Sequence, residues 1–349
     1  MARRDVVVVG ASAGGVEALR ALVANLPADL PATVLVVLHT PAAARSALAA
    51  ILDRSGPLPA SAAVEDDPLT PGRVLVAPPD RHLIVADGYV TLSRGPRENG
   101  HRPAVDVLFR SAARALGPRV VAVVLSGTLD DGTAGMVAVH ARGGITLVQD
   151  PDEATFEGMP VSAIEGDSPA AVLPVRDIAA RLVELVGETV PDEPASQASD
   201  LMHQEVGMAE LEAIVTSSAD PPGKASGYAC PDCTGVLWEL TEGGLTRYRC
   251  RVGHAWSPQS LAAQQAVAVE GALWMALRAL EEKASLATRM AEGAVDRGHR
   301  ISSLTFEEHA AEAAAAARIL RDLIERVGTL VPHVESDADL RREPSQPLP

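Results

Sequence analysis

The sequence predicts an α/β protein: a doubly wound, mainly parallel sheet over the first half, then a small metal-held module and a helical hairpin. Three observations predict it. Short β-branched runs alternate with helical periodicity from residue 5 to about 187, all three cysteines fall between Cys230 and Cys250, and two long segments near the end carry apolar stripes.

Val6-Val7-Val8-Val9, stopped by Gly10, reads as a fully buried strand, and residues 16–26 place Leu19, Leu22, Val23 and Leu26 on one helical face. Further strands are expected at 33–38, 74–77, 120–125 and 145–149, and helices at 105–116, 133–141 and 178–186. Strands separated by helices return to the same end of the sheet and so run parallel. One pair departs from this pattern: residues 82–86 and 89–93 flank Asp87-Gly88, a two-residue hairpin signal.

The polar, aperiodic stretch 191–199 begins a linker, with a short helix expected around 208–214. Segments 261–290 and 304–327 space Val269, Leu273, Leu277 and Leu280, then Leu320, Leu323, Ile324 and Val327, by three and four residues. Residues 293–300 separate them, which makes a helical hairpin. The chain therefore parses as a sheet domain (1–187), a linker (188–225), a cysteine module (226–258), the hairpin (259–330) and a flexible tail (331–349).

A net charge of −16 argues against nucleic acid as a partner, because such binding draws on Lys and Arg. No apolar run is long enough to enter a bilayer, and Met1-Ala2-Arg3-Arg4 before a four-valine run does not make a secretory signal, so a cytoplasmic location is expected.

Gly10-Ala11-Ser12-Ala13-Gly14-Gly15 lies between the first strand and the first helix. A G-x-S-x-G turn there holds a serine on a sharp bend, and the helix N-terminus behind it favours developing negative charge. The competing reading is the phosphate turn of a Rossmann-like dinucleotide domain. That turn needs glycine where Ser12 stands, and an acidic residue at the end of the second strand where His39 stands. His39 could take the Ser12 proton as general base, whereas a lone loop histidine is more often ordinary surface. The strand at 120–125 opens into Asp130-Asp131-Gly132, where a carboxylate could orient His39 or cap the next helix. Spacing does not choose between Asp130 and Asp131.

At these residues the sequence resembles the catalytic domain of CheB-type protein-glutamate methylesterases, from about Val6 to Gly187. The resemblance rests on Gly10-Ala11-Ser12-Ala13-Gly14-Gly15, His39 with Pro41, 77–83 (Ala-Pro-Pro-Asp-Arg-His-Leu), 101–106 (His-Arg-Pro-Ala-Val-Asp), Asp131-Gly132 with Gly135-Met136, and Gly158-Met159-Pro160. It implies Ser12 as nucleophile, His39 as base, Asp131 as carboxylate and the Thr128 N–H as oxyanion donor. The implied reaction is hydrolysis of glutamate γ-methyl esters on chemoreceptor cytoplasmic domains with release of methanol, and some members also deamidate receptor glutamines. No cofactor is expected for catalysis. Asp130 stands where the family usually has Asn, adding negative charge beside the triad, and Thr128 stands where Met is usual. The family often carries an N-terminal receiver domain; here the catalytic strand starts at Asp5, so control by phosphorylation in cis is not expected. Arg81, His82, His101 and Arg102 fall inside matched motifs. Structural roles are expected for most of them, with His82 the alternative base.

Cys230-Pro231-Asp232-Cys233 and Cys250-Arg251-Val252-Gly253-His254 give C-x2-C and C-x3-H turns. Two such turns complete a tetrahedral Cys3His site at Cys230, Cys233, Cys250 and His254, and four protein ligands leave a structural zinc no open position. Glu242-Gly243-Gly244 would turn a hairpin between them, and Tyr228, Trp238, Tyr248 and Trp256 supply bulk. The segment resembles zinc-ribbon modules. The C-terminal helices could dimerise, contact a receptor bundle or pack on the ribbon. Two further readings compete with the esterase: a non-catalytic or differently targeted sensory adaptor working through the zinc and helical modules, and a nicotinamide enzyme, which His39 disfavours.

Overall fold

A computed structural model describes residues 1–43, 46–192, 196–211 and 223–328. The chain divides into two compact units, residues 1–261 and residues 262 onward.

In the first unit, β1 (Ala2–Arg3) pairs antiparallel with β12 (Thr189–Val190), tying the two ends of the sheet domain together. Between them lies a seven-stranded sheet built from β2 (Val6–Ala11), β3 (Thr33–Leu38), β4 (Ala60–Ala62), β6 (Arg73–Val76), β9 (Val120–Val124), β10 (Ile145–Gln149) and β11 (Ala171–Leu173). Every pairing in it is parallel, and the order is β11-β10-β9-β2-β3-β6-β4. Because side chains alternate faces along a strand, Val7 and Val9 enter one core, and Val6 and Val8 enter the other. Helices α1 (Gly15–Ala24), α2 (Leu48–Ser55) and α6 (Val175–Leu185) cover the first core. Helices α3 (Val105–Leu116), α4 (Thr133–Ala141) and α5 (Gly158–Gly166) cover the second. This is the doubly wound arrangement expected. The helices α2 and α5 were not foreseen: both are short, and α5 holds glycine at each end and Pro160 in its first turn.

The expected hairpin is β7 (His82–Val85) with β8 (Tyr89–Ser93), joined on its outer edge by β5 (Asp67–Pro68). The linker holds more structure than its polarity suggests. Helix α7 (Asp200–Ala209) starts at an N-cap Ser199, whose hydroxyl accepts from Met202 N, and it lies earlier than the helix expected at 208–214. Residues 212–214 of that expectation fall outside the described residues. Val206 and Ala209 pack with Ile84, Ala104 and Val107.

A four-stranded antiparallel sheet follows, β13 (Lys224–Ala229), β14 (Val236–Glu242), β15 (Leu245–Cys250) and β16 (Ala255–Trp256). Glu242 pairs with Leu245, so Gly243-Gly244 form a two-residue turn, and their φ values of 60° and 82° need glycine. Of the four aromatics expected to build this module only Trp256 is buried. It packs with Cys230, Leu237, Cys250 and Leu261, while Tyr228 stays half exposed with its ring edge-on to Tyr248.

The second unit is a two-helix hairpin, Pro258–Asp296 (whose first turn belongs to the first unit) and Arg300–Gly328, so the break is shorter than 293–300. Leu277, Ala317 and Ile324 form its seam, flanked by Leu273, Leu280 and Leu320. Val269 and Leu323, expected on the stripe, are exposed. Leu323 lies one helical step off the seam beside Ile324. The Val327 side chain is also outside them. Among the described residues no helix is long and apolar enough to cross a membrane.

Candidate active site

Strands β9, β2 and β3 are neighbours at the centre of the sheet, and the residues just past their carboxyl ends converge there. This is the rim where ligands gather in open parallel sheets. Ser12 follows β2 on a tight turn, its N–H donating to Ser126 O and its carbonyl accepting from Gly15 N. The turn requires its glycines. A Cβ on Gly10 would lie 2.2 Å from Val105 Cγ1, and Gly14 sits at φ 70°. His39 continues the register of β3, its N–H donating to Ala11 O.

His39 Nε2 lies 2.7 Å from Asp131 Oδ2 and His39 Nδ1 lies 3.1 Å from Ser12 Oγ. A carboxylate can only accept, so Nε2 carries the proton, and Nδ1 is left as the acceptor for the serine hydroxyl. Asp131 is 2% exposed and takes four donors: His39 Nε2 and Val105 N on Oδ2, Asn99 Nδ2 and Asp106 N on Oδ1. Val105 and Asp106 begin α3, so the carboxylate also sits at a helix N-terminus. Burial by itself would raise this carboxyl. The hydrogen bond and charge of His39, with the Val105 N–H, outweigh it and hold Asp131 well below the usual carboxylate range.

Asp130 goes elsewhere. Its Oδ1 accepts from Ser257 Oγ at 2.8 Å and Ser260 Oγ at 2.9 Å, at the start of the helix Pro258–Asp296. Burial raises the Asp130 carboxyl, and these two hydroxyl bonds oppose the rise. The extra charge expected beside the triad is thus turned toward a second helix N-terminus, one aspartate to each.

The His101 ring stacks on His39, with centroids 3.6 Å apart and planes 7° from parallel. Burial, then the charge of His39, pushes His101 down to about 3, so it stays neutral above that pH and adds no second positive charge against the His39 face. The motif left the part of His101 open; the structure stacks it on the histidine that meets Ser12. Asn99 was also missed, because Asn99-Gly100 reads locally as a turn signal. His82 cannot be the base: its Nε2 donates to Pro96 O and its Nδ1 accepts from Ala104 N, so both ring nitrogens are taken. Arg102 is structural, bonding Asp80 and the carbonyls of Arg94 and Gly95.

Loop 126–128 closes against the serine, since a Cβ on Gly127 would lie 2.9 Å from Ser12 Cβ. Among the described residues the Thr128 N–H has no hydrogen-bond partner.

The four residues of the cysteine module come together. Cys230, Cys233, Cys250 and His254 offer ligand atoms all within 4.8 Å of one another. Cys230 Sγ to His254 Nδ1 is 3.7 Å, Cys250 Sγ to His254 Nδ1 is 3.5 Å and Cys233 Sγ to Cys250 Sγ is 3.6 Å. A tetrahedral zinc with bonds of about 2.3 Å to sulfur and about 2.0–2.1 Å to nitrogen needs edges of roughly 3.5–3.8 Å. The donor set fits. Asp232 Oδ2 lies 3.9 Å from His254 Nε2, beyond direct hydrogen-bond reach.

A serine, a histidine and an aspartate in hydrogen-bonded series on a doubly wound sheet form the constellation used by serine hydrolases. This chain belongs to the CheB methylesterase family, whose pattern matches residues 7–182. It is 42% identical over 184 residues to the protein-glutamate methylesterase/protein-glutamine glutaminase 1 of Anaeromyxobacter dehalogenans (strain 2CP-C), covering 52% of each chain. It is 41% identical over 186 residues to the protein-glutamate methylesterase/protein-glutamine glutaminase of Symbiobacterium thermophilum, covering 53% of this chain and 51% of that one. The solved Thermotoga maritima CheB methylesterase catalytic domain matches with a TM-score of 0.50 and 36% identity, covering 52% of this chain and 98% of the other. The chain thus spans about half the length of the curated relatives it matches.

Proposed function

We propose that this protein hydrolyses glutamate γ-methyl esters on the cytoplasmic domains of methylated chemoreceptors and releases methanol. The observation that carries the reading is the series Ser12 Oγ to His39 Nδ1 at 3.1 Å and His39 Nε2 to Asp131 Oδ2 at 2.7 Å. Ser12 Oγ attacks the ester carbonyl as its proton passes to His39 Nδ1, and Asp131 stabilises the imidazolium that forms. The oxyanion accepts from the Thr128 N–H. Nδ1–H then protonates the departing methoxide, which leaves as methanol and an acyl-Ser12 ester. Water, giving a proton to Nδ1, attacks that ester; Nδ1–H then returns the proton to the departing Ser12 Oγ, which restores the serine hydroxyl and frees the glutamate. The same steps with ammonia as leaving group would deamidate a receptor glutamine, an activity supported by the names of the relatives.

The experiment is methanol release from a methylated chemoreceptor cytoplasmic fragment by wild type and Ser12→Ala. Release by wild type, lost in the variant to about 10⁴-fold or more below it, is expected. A folded wild type that releases no methanol would sink the substrate assignment.

The cysteine module is read as a structural zinc site held by Cys230, Cys233, Cys250 and His254. Bound zinc would supplement the small core that Trp256, Leu237 and Leu261 give a module of this size. One equivalent of zinc per chain is expected by elemental analysis, falling to near zero in Cys230→Ala, which should also lower the thermal midpoint of the full chain.

A further inference from the structure

We propose that the cysteine module is part of the esterase active site, and that Asn99 is the positioning residue through which it holds Asp131. The inference rests on the relay reading of Ser12, His39 and Asp131.

The edge strand β16 docks on the segment before His101. Asn99 N donates to Ala255 O at 2.8 Å and Ala255 N donates to Arg97 O at 3.2 Å, so the module adds backbone bonds directly to this segment. The next residue but one grips the Asn99 side chain, with Ser257 N donating to Asn99 Oδ1 at 2.9 Å. That bond settles which end of the amide faces which way. With Oδ1 committed to the module, Nδ2 must point at the carboxylates, and it donates to Asp131 Oδ1 at 3.1 Å and Asp106 Oδ2 at 3.2 Å. Asn99 is 7% exposed and sits at φ 52°, a conformation asparagine tolerates better than most residues. One amide therefore spans from the module to the face of Asp131 opposite His39.

The module is clamped where this bridge begins. Ser257 caps the helix that follows, accepting from Ser260 N, and its hydroxyl and that of Ser260 bind Asp130. Arg249 on β15 bonds both Glu98, next to Asn99, and Glu205 on α7. Loosening the cysteine module would release Ala255 and Ser257 together, freeing Asn99 to turn and taking from Asp131 one of the two donors on its Oδ1. His39 would then be held by a carboxylate whose Oδ1 keeps only the Asp106 N–H, and so is oriented less firmly. Small misplacements of a catalytic group cost about 10²-fold in rate.

The test uses the full chain and reads the relay without reference to any receptor, through covalent labelling of Ser12 by a fluorophosphonate and through the low-field proton NMR signal of His39 Nε2–H. Asn99→Gly removes the amide but keeps the backbone at ease at positive φ. It is expected to label about 10²-fold more slowly and to shift or broaden the low-field signal. Its methyl-ester KM should change less than its kcat. Chelation of zinc from wild type should reproduce the slowing and the NMR change, and should slow Asn99→Gly far less. The chelation arm needs no variant to fold. Labelling of Asn99→Gly at the wild-type rate overturns the proposal, as does chelation that leaves the wild-type signal intact or slows both proteins equally. Normal Ser12 labelling without methanol release would discard the receptor substrate and leave this inference standing. A wild type that does not label at Ser12 overturns both.

Discussion

Asp131→Asn is expected to lower kcat by about 10³- to 10⁴-fold, and to lower the melting temperature too. Both oxygens of Asp131 are filled with donors: His39 Nε2 and Val105 N on one, Asn99 Nδ2 and Asp106 N on the other. An amide has one oxygen and one NH2, so whichever way it faces, one pair of donors meets a donor. If the NH2 faces His39, the ring must present its other tautomer, and Nδ1 then carries a proton where Ser12 needs an acceptor. If it faces Asn99 and Asp106 N, two buried N–H groups lose their partner, at about 1–3 kcal/mol each. Steady-state kinetics with thermal denaturation on the same preparation separate the two costs. A variant with near-normal kcat would show that Asp131 does not serve His39.

Glu98→Ala is expected to cost about 3–5 kcal/mol of stability. Glu98 is 1% exposed and accepts from Arg110 Nη2 on α3 and Arg249 Nη2 on β15, both of which are 1% exposed. Its removal leaves two buried guanidinium groups, which stay charged, with Glu205 as the remaining carboxylate between them. Replacing the whole cluster by apolar side chains need not destabilise; breaking it does. Denaturant melts of wild type and variant measure the difference.

The same cluster sets an acid limit. Burial would raise Glu98 and Glu205, but the charges of Arg110 and Arg249, and of Arg247 at Glu205, outweigh it and hold both below the usual range. Groups depressed in the folded state stabilise fully above their unfolded value of about 4.3, and that stability is lost as pH falls through the folded values. Docking of the cysteine module should therefore be intact at neutral pH, begin to weaken only as pH falls below about 4, and fail at the lower pH where the folded carboxylates protonate, seen as a rise in tryptophan accessibility to a quencher, Trp256 being buried at neutral pH.

Much of the site was legible in the residues alone, for a local reason. Val6 to Val9 must be buried on both faces, so the strand, its turn and Ser12 follow from a stretch of ten residues. His39 is legible because it ends the next such run, and the Cys/His cluster because C-x2-C and C-x3-H turns each bring two donor side chains within a few residues. Helix α7 was not legible as a clamp. Its single buried carboxylate, Glu205, looks like solvated surface until Arg110, Arg247 and Arg249 surround it.

What the sequence by itself determined was the doubly wound sheet, the serine turn with its histidine, and the Cys/His spacing of the second module. Periodicity and short spacing encode these directly. Tertiary structure decided between Asp130 and Asp131, drew Asn99 and His101 to the triad, and set the cysteine module against it. Each of those outcomes depends on donors and charges far away along the chain: Val105 for Asp131, Ser257 for Asp130 and Arg249 for Glu98. A buried carboxylate takes its role from whatever compensates its charge, and only the fold brings those groups within reach.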